Sequence, residues 1–288
     1  MKILITGASG FIGGNIAKRL LQSGGNDIIG MTSSPVIGLK PSGITWVHGD
    51  LLQEVTLDKG VDFIVHCAAL QDFNAMPSRT FIDANLAMTE NIARYAKRAG
   101  IKGLVFASSI SLHGDVVGEV VDEHTGRINP TLYGLSKHLC EILLREYQEY
   151  FSTVSLRLCG VVGPGAKNMW LSRVLARAER GDAIEIVNED SLFNNLLHTD
   201  DLSDFLRTLM ENGMSGFNAF PLASSNPMTI RDVVATIIEA SSSSSRIIDK
   251  GNAGNSFTIS SSFANEHFHF QPKDVATNLM KFVAENIR

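Results

Sequence analysis

The chain has 288 residues, 44% of them hydrophobic, enough to bury a large core in one domain or in a domain with a minor lobe. A net charge of −5 with no Lys/Arg cluster speaks against a nucleic-acid surface, and the three widely spaced cysteines (Cys67, Cys140, Cys159) offer neither a disulfide framework nor a CxxC metal pair. No apolar run reaches the roughly 18 to 20 residues of a membrane-spanning helix, and Met1 leads straight into a strand, so a cytoplasmic protein with reduced thiols is expected.

The first predicted strand is Lys2–Thr6, followed by a glycine-rich turn and a helical pattern through Ile12, Ile16, Leu20 and Leu21. Further strands are predicted at Asp27–Thr32, Ile44–Gly49, Val61–Ala68, Gly103–Ser109 and Thr153–Val161, with helices at Asp83–Ala99 and Tyr133–Tyr150. Near-continuously apolar strands alternating with helices predict a doubly wound parallel sheet covered on both faces. After about Gly163 the segments become shorter and mixed. A helix is predicted at Asn168–Arg180, a polar loop at Ser241–Ser245, a strand or loop at His267–Pro272 and a last helix at Lys273–Ile287. The expected organisation is α/β, with residues 1–163 forming the sheet domain (its core continuing into 190–210) and 164–288 forming mainly a small C-terminal substrate lobe.

Gly7, Gly10 and Gly13 stand between a predicted strand and a predicted helix, with Phe11 and Ile12 in the same turn. The first glycine permits a tight turn, the second lets main chain approach a pyrophosphate, and the third lets helix and strand pack closely. The helix N-terminus then presents N–H groups and positive dipole to the phosphates. The carboxylate that usually binds the ribose 2′-hydroxyl belongs at the end of the second strand, where this chain has Thr32. Losing it removes repulsion against a 2′-phosphate but supplies no cation, so NAD or NADP is expected, with NADP slightly favoured.

Ser108 and Ser109 end the fifth strand, and Tyr133 and Lys137 follow on a helix. Positions i and i+4 share a helix face, so the Lys137 ammonium is expected to favour the Tyr133 phenolate and bring its pKa towards the range of a general acid/base. The bland alternative is that such pairs are common on amphipathic helices.

In this order and at these distances, the glycine turn, Ser109 and Tyr133-x-x-x-Lys137 resemble the extended short-chain dehydrogenases/reductases, the NAD-dependent epimerase/dehydratase group typified by UDP-galactose 4-epimerase. The resemblance runs over nearly the whole chain and implies a Rossmann-type fold. Within it, "GDLLQ" is similar to the segment that meets the adenine, here Asp50 with Leu51. "VHCAAL" resembles the strand end that passes under the cofactor, here Ala68 and Ala69. "NLAMTENI" is similar to a helix led by an asparagine, here Asn85, a candidate for a water relay or a cap. By the same resemblance Tyr133 is the acid/base, Ser109 steadies the reacting oxygen, and Lys137 tunes the tyrosine and binds the nicotinamide ribose. The two central helices resemble a pair that forms a homodimer interface in relatives.

The pattern also departs from the family. The asparagine and arginine that hold substrate phosphates in the sugar-nucleotide epimerases are replaced by Gly160 and Asn194, and an arginine fork is hard to substitute in that role. A UDP- or dTDP-sugar is therefore expected to bind weakly unless Arg173 and Arg177, four apart on one helix with Asn168 just before it, rebuild the site. Ile110 and Ser111 stand where the 4,6-dehydratases carry an Asp–Glu pair, which disfavours that reaction. No histidine has metal-ligand spacing, and no metal is expected. The expected activity is hydride transfer between nicotinamide and a hydroxyl or carbonyl carbon of a small-molecule substrate, as an epimerase or carbonyl reductase. The alternative is a non-catalytic dinucleotide-binding sensor or scaffold on the same fold.

Overall fold

The computed structural model describes residues 1–35, 42–57, 60–71 and 77–287. The chain forms two compact units. The first comprises Met1–Asp115, Gly126–Leu158 and Leu202–Phe220, and the second Val116–Thr125, Cys159–Asp201 and Pro221–Arg288.

Strands β1 (Lys2–Thr6), β2 (Asp27–Thr32), β3 (Thr45–His48), β4 (Phe63–His66), β5 (Gly103–Ser109), β6 (Ser152–Leu158) and β7 (Phe217–Leu222) form one sheet among the described residues. Its order is β7-β6-β5-β4-β1-β2-β3. The pairings from β3 across to β6 are parallel, and Leu4, Ile5, Ile64, Leu104 and Val154 are buried in it. Parallel strands need crossovers, supplied here by helices α1 (Phe11–Gln22), α2 (Ser78–Ala99) and α3 (Leu132–Arg145). From β1 the chain winds outward to β2 and β3, then returns to β4 and winds the other way. The reversal opens a crevice at the carboxyl ends of β1 and β4, the place where such sheets bind ligands.

Several elements differ from expectation for physical reasons. Helix α2 begins five residues before Asp83, because fully buried Phe81 extends its apolar stripe. Helix α3 stops at Arg145, and the following turn lets buried Phe151 stack on Tyr147. Strand β7 was not predicted, since Pro221 interrupts its pattern, but a strand at the sheet edge tolerates a residue that donates no hydrogen bond.

The second unit holds α4 (Trp170–Glu179), α6 (Ile230–Ala240), α7 (Ser262–Phe268) and α8 (Val275–Asn286), while α5 (Thr199–Asn212) starts in it and continues into the first unit. The His267–Pro272 stretch contains helix rather than strand: α7 includes His267, and His269 caps it at φ 57° so that Phe270 turns into the core. Helix α8 starts at Val275 because Asp274 caps it, accepting from the Thr277 N–H at 2.6 Å. Buried His198 bonds Glu285 of α8 at 2.9 Å and accepts the Asp200 N–H, a structural use of both ring nitrogens. No helix among the described residues is long and apolar enough to cross a membrane.

Candidate active site

At the end of β1 the chain turns through Gly7, whose φ of +66° suits a residue without Cβ. The Gly10 N–H donates to Gly7 O at 2.9 Å, and Gly10 begins α1 with no side-chain cap on the first N–H groups. A Cβ on Gly13 would lie 2.5 Å from Gly7 O, and one on Gly7 would lie 2.9 Å from Ala68 N. The turn therefore packs against the end of β4, with its helical N–H groups open to an anion. This main-chain cradle fits a dinucleotide pyrophosphate.

Around it the expected contact residues divide. Thr32 is buried, sharing a 2.7 Å hydrogen bond with Ser9 and accepting the Ser34 N–H, so it presents neither carboxylate nor cation. Asp50 is exposed and its Oδ1 accepts the Leu52 N–H. Leu51 packs into the core beneath the sheet, so its side chain is structural. Ala68 and Ala69 follow β4, partly buried, while Phe11 and Ile12 lie half-buried in the first turn of α1. Asn85 lies within α2 rather than at its start. Its carboxamide accepts the Leu70 N–H at 2.8 Å and donates to Leu70 O and to Ser136 Oγ, which ties the β4 exit to α3.

Tyr133 and Lys137 occupy the first two turns of α3, whose cap is Thr131, accepting the Gly134 N–H at 3.1 Å. Gly134 allows a close approach: a Cβ there would lie 2.1 Å from Ser111 O. The start of α3 is thereby pressed onto the 3-10 turn Ile110–His113 that follows β5. Ser109 caps that turn, accepting the Ser111 N–H and donating to Ser111 Oγ. Lys137, almost wholly buried, donates to Ala107 O at 2.7 Å and sits 5.7 Å from the Tyr133 ring centre and 4.6 Å from that of Phe106.

The electrostatics run opposite to the expectation of a lowered phenol. Burial pushes the Tyr133 pKa up to about 12, with a further push from the neighbouring Cys140. Burial also lowers the Lys137 pKa, against the pull of Cys140, Cys67 and Glu141. Burial is the larger cause at both groups, and the ammonium is directed at the Ala107 carbonyl rather than at the phenol. The phenol accordingly holds its proton at neutral pH. Cys67, pushed up to about 12 by burial, is no thiolate nucleophile.

Sequence reasoning missed a carboxylate one turn beyond Lys137. Glu141 is buried and accepts from Ser108 Oγ at 2.7 Å, Ser155 Oγ at 2.9 Å and the Arg157 guanidinium at 3.2–3.3 Å. It locks α3 to the ends of β5 and β6, beside Ser109. The available signal was Glu141 at i+8 from Tyr133, on the same helix face.

In the second unit, Asn194 is buried. Both of its amide hydrogens serve main-chain oxygens, Ser224 O and Ile259 O, and its oxygen accepts the Ile259 N–H. No donor remains for a substrate, because two backbone segments cross at this side chain. Arg173 and Arg177 are exposed on α4 and line a cleft of about 430 Å³ with Trp170 and Glu185. Asn168, at φ 62°, accepts from Arg173 through its main-chain oxygen.

The sheet order and the glycine turn are those of the Rossmann-type, doubly wound α/β proteins that carry out dinucleotide chemistry. Within that class, the model of the NAD dependent epimerase/dehydratase family matches residues 3–220, and the chain belongs to this family. A probable UDP-glucuronate 4-epimerase of Rhizobium meliloti (strain 1021) is 30% identical over 70% of this chain and 66% of its own. The UDP-glucose 4-epimerase of Vibrio cholerae is 26% identical over 81% and 73%. Among solved structures, MoeE5 in complex with UDP-glucuronic acid and NAD superposes with a TM-score of 0.82 at 22% identity, covering 99% of this chain and 98% of that one.

Proposed function

We propose that the chain is a nicotinamide-dinucleotide-dependent epimerase or oxidoreductase, with Tyr133 exchanging a proton with the oxygen of a substrate hydroxyl or carbonyl. The observation that carries this reading is the assembly, in one unit, of the Gly7–Gly13 cradle against Ala68 and of the Tyr133–Lys137 pair pressed by Gly134 onto the turn capped by Ser109. When bound, the dinucleotide supplies a two-electron hydride donor or acceptor. Ser109 Oγ, at the mouth of β5, would hold the reacting oxygen. A phenol with its pKa near 12 is disposed first to donate, protonating the oxygen of a carbonyl as it is reduced. Lys137 stabilises any negative charge left on the phenol. Thr32 leaves NAD and NADP both admissible. Relatives named for UDP-sugar chemistry support a sugar nucleotide as substrate.

Titration with NADH and NADPH, monitored by calorimetry, tests the cofactor reading: binding of at least one is expected, and none in protein freed of nucleotide would overturn it. Tyr133→Phe is expected to retain cofactor affinity within about threefold and to lose turnover. Lys137→Ala should weaken both, and equal loss of affinity in the two variants would tell against these separate roles.

A further inference from the structure

His66, the last residue of β4, is fully buried beneath the proposed cofactor crevice and stacks on Phe106 at 5.6 Å. Its two nitrogens lie in a line of hydrogen bonds whose direction can be read from its ends. At one end the Ala68 N–H, which can only donate, meets Thr6 Oγ1 at 3.2 Å, and Thr6 Oγ1 lies 2.7 Å from His66 Nδ1. At the other end His66 Nε2 lies 3.3 Å from Thr89 Oγ1, which donates to Asn85 O at 2.9 Å. Thr89 Oγ1 also lies 3.2 Å from Cys140 Sγ. With its single hydrogen on the Asn85 carbonyl, the shorter contact and one that can only accept, Thr89 accepts from His66, and the tautomer so assigned carries its proton on Nε2. Nδ1 is then a bare acceptor, and the Thr6 hydroxyl must donate to it. The line runs one way, from Ala68 N–H through Thr6, His66 and Thr89 to Asn85 O.

Asn85 itself grips Leu70 through its side chain and reaches Ser136 on α3, whose hydroxyl donates to Tyr133 O at 2.8 Å. The segment after β4 is thus held at two points, Ala68 and Leu70, and both lead through α2. Gly7 rests on Ala68, which makes this segment one wall of the cradle. Burial lowers the His66 pKa to about 3, with a smaller push from Lys137, so the ring stays neutral and the line keeps its direction at any ordinary pH.

We infer that His66 is a positioning residue for the dinucleotide: as the Nε2–H tautomer it orients the Thr6 hydroxyl that holds Ala68, and so fixes the wall on which Gly7 rests. The inference depends on the dinucleotide reading for its effect on binding, but the tautomer is testable without it.

Two-bond nitrogen–proton correlation NMR on histidine-labelled protein reports the tautomer directly. Nε2–H is expected, and a His66 signal from the Nδ1–H form would overturn the inference even if no cofactor bound. The second measurement is the Kd for NADH and NADPH. Asparagine at position 66 places an acceptor oxygen near the Nδ1 position, whereas glutamine places its amide near Nε2. His66→Asn should therefore keep affinity within about threefold of the parent, and His66→Gln should lose about tenfold, the cost of leaving the Thr6 hydroxyl unpartnered. Equal loss in both would reduce His66 to general packing and overturn the inference. If either variant fails to fold, Thr6→Val and Thr6→Ser replace them: valine should weaken binding about tenfold and serine restore it, and a Thr6→Val protein with parental affinity would overturn the inference. Failure of the parent protein to bind either cofactor is a different result, and it overturns the dinucleotide reading instead.

Discussion

The turn at Gly7–Gly13 and the helix α4 belong to different units, and each presents a candidate site in its own way. In the turn the recognising groups are main-chain N–H donors, and what matters is where side chains are missing: a single Cβ at Gly13 would sit 2.5 Å from a carbonyl. On α4 the candidate groups are two exposed guanidinium ions, neither paired with a carboxylate among the described residues. A site made of main chain is fixed when the strand and helix pack. A site made of long exposed side chains is fixed only when a ligand arrives. Substitutions in the first unit should therefore disturb stability and binding together, and those on α4 binding alone.

The largest effect is expected where the first unit holds its buried charge. Glu141→Ala leaves Arg157 buried without its carboxylate, at a cost of about 3–5 kcal/mol. Thermal unfolding should show a drop in Tm of roughly 5–8 °C. A loss below about 1 kcal/mol would mean that water reaches Arg157 or that Arg127, whose guanidinium lies 3.9 Å from Glu141 Oε2, moves away from it, and the contrast between the units would weaken.

Next comes the cradle itself. Gly13→Ala must move either α1 or the Gly7 carbonyl, costing about 1–3 kcal/mol by denaturant titration, with loss of measurable NADH and NADPH binding. Stability lost with cofactor binding intact would separate the turn's packing role from recognition.

The pH dependence gives a smaller and more diagnostic effect. His66 has a folded pKa of about 3, below its ordinary 6.5, so the unfolded chain takes up the proton first. Its contribution is complete above pH 6.5 and is lost as pH falls towards 3, at about 1.4 kcal/mol per pH unit. Urea unfolding at a series of pH values should show this slope in the parent protein and a slope shallower by about that amount in His66→Asn.

The same contrast explains what was legible in the sequence. Strand β1, the glycine turn and the Tyr133–Lys137 helix could be read because sterics of short chain segments dictate them, and because apolar runs betray buried parallel strands. Strand β7 could not, since Pro221 is forbidden only away from a sheet edge and the edge is a property of the finished fold. That the Leu51 side chain is core could not be read from "GDLLQ", since its neighbours in space come from α2 and the sheet. Asn194 stood at a phosphate-binding position, but hydrogen bonds to residues 30 and 65 places away use up its amide. The Tyr133 pKa shows the limit most sharply: i,i+4 spacing gives the sign of the Lys137 interaction, while burial, which spacing does not reveal, decides the outcome.

The smallest effect on stability should come from α4, and it bears most directly on the substrate. Arg173 and Arg177 project from one face into a cleft with Trp170, which leans on Phe193 at 5.3 Å. Arg180 in the same cleft is already paired with Asp182 at 2.7 Å, whereas Arg173, which donates to Asn168 O, and Arg177 have no carboxylate partner among the described residues. Exposed and without carboxylate partners, they should change folding stability by less than about 0.5 kcal/mol when replaced by alanine. If they hold a diphosphate, each contributes a charge-assisted hydrogen bond of roughly 1.5–3 kcal/mol, so either replacement should weaken UDP or dTDP binding about ten- to a hundredfold. The parent affinity should also fall as salt rises, because the site is open to solvent. Calorimetric titration of UDP and dTDP into cofactor-loaded protein reads all three quantities. Low-micromolar binding abolished by Arg173→Ala or Arg177→Ala would establish a phosphate site built from exposed charge. Binding that ignores both replacements would move the diphosphate off α4, and no binding of either nucleotide would point to a smaller hydroxyl or carbonyl compound.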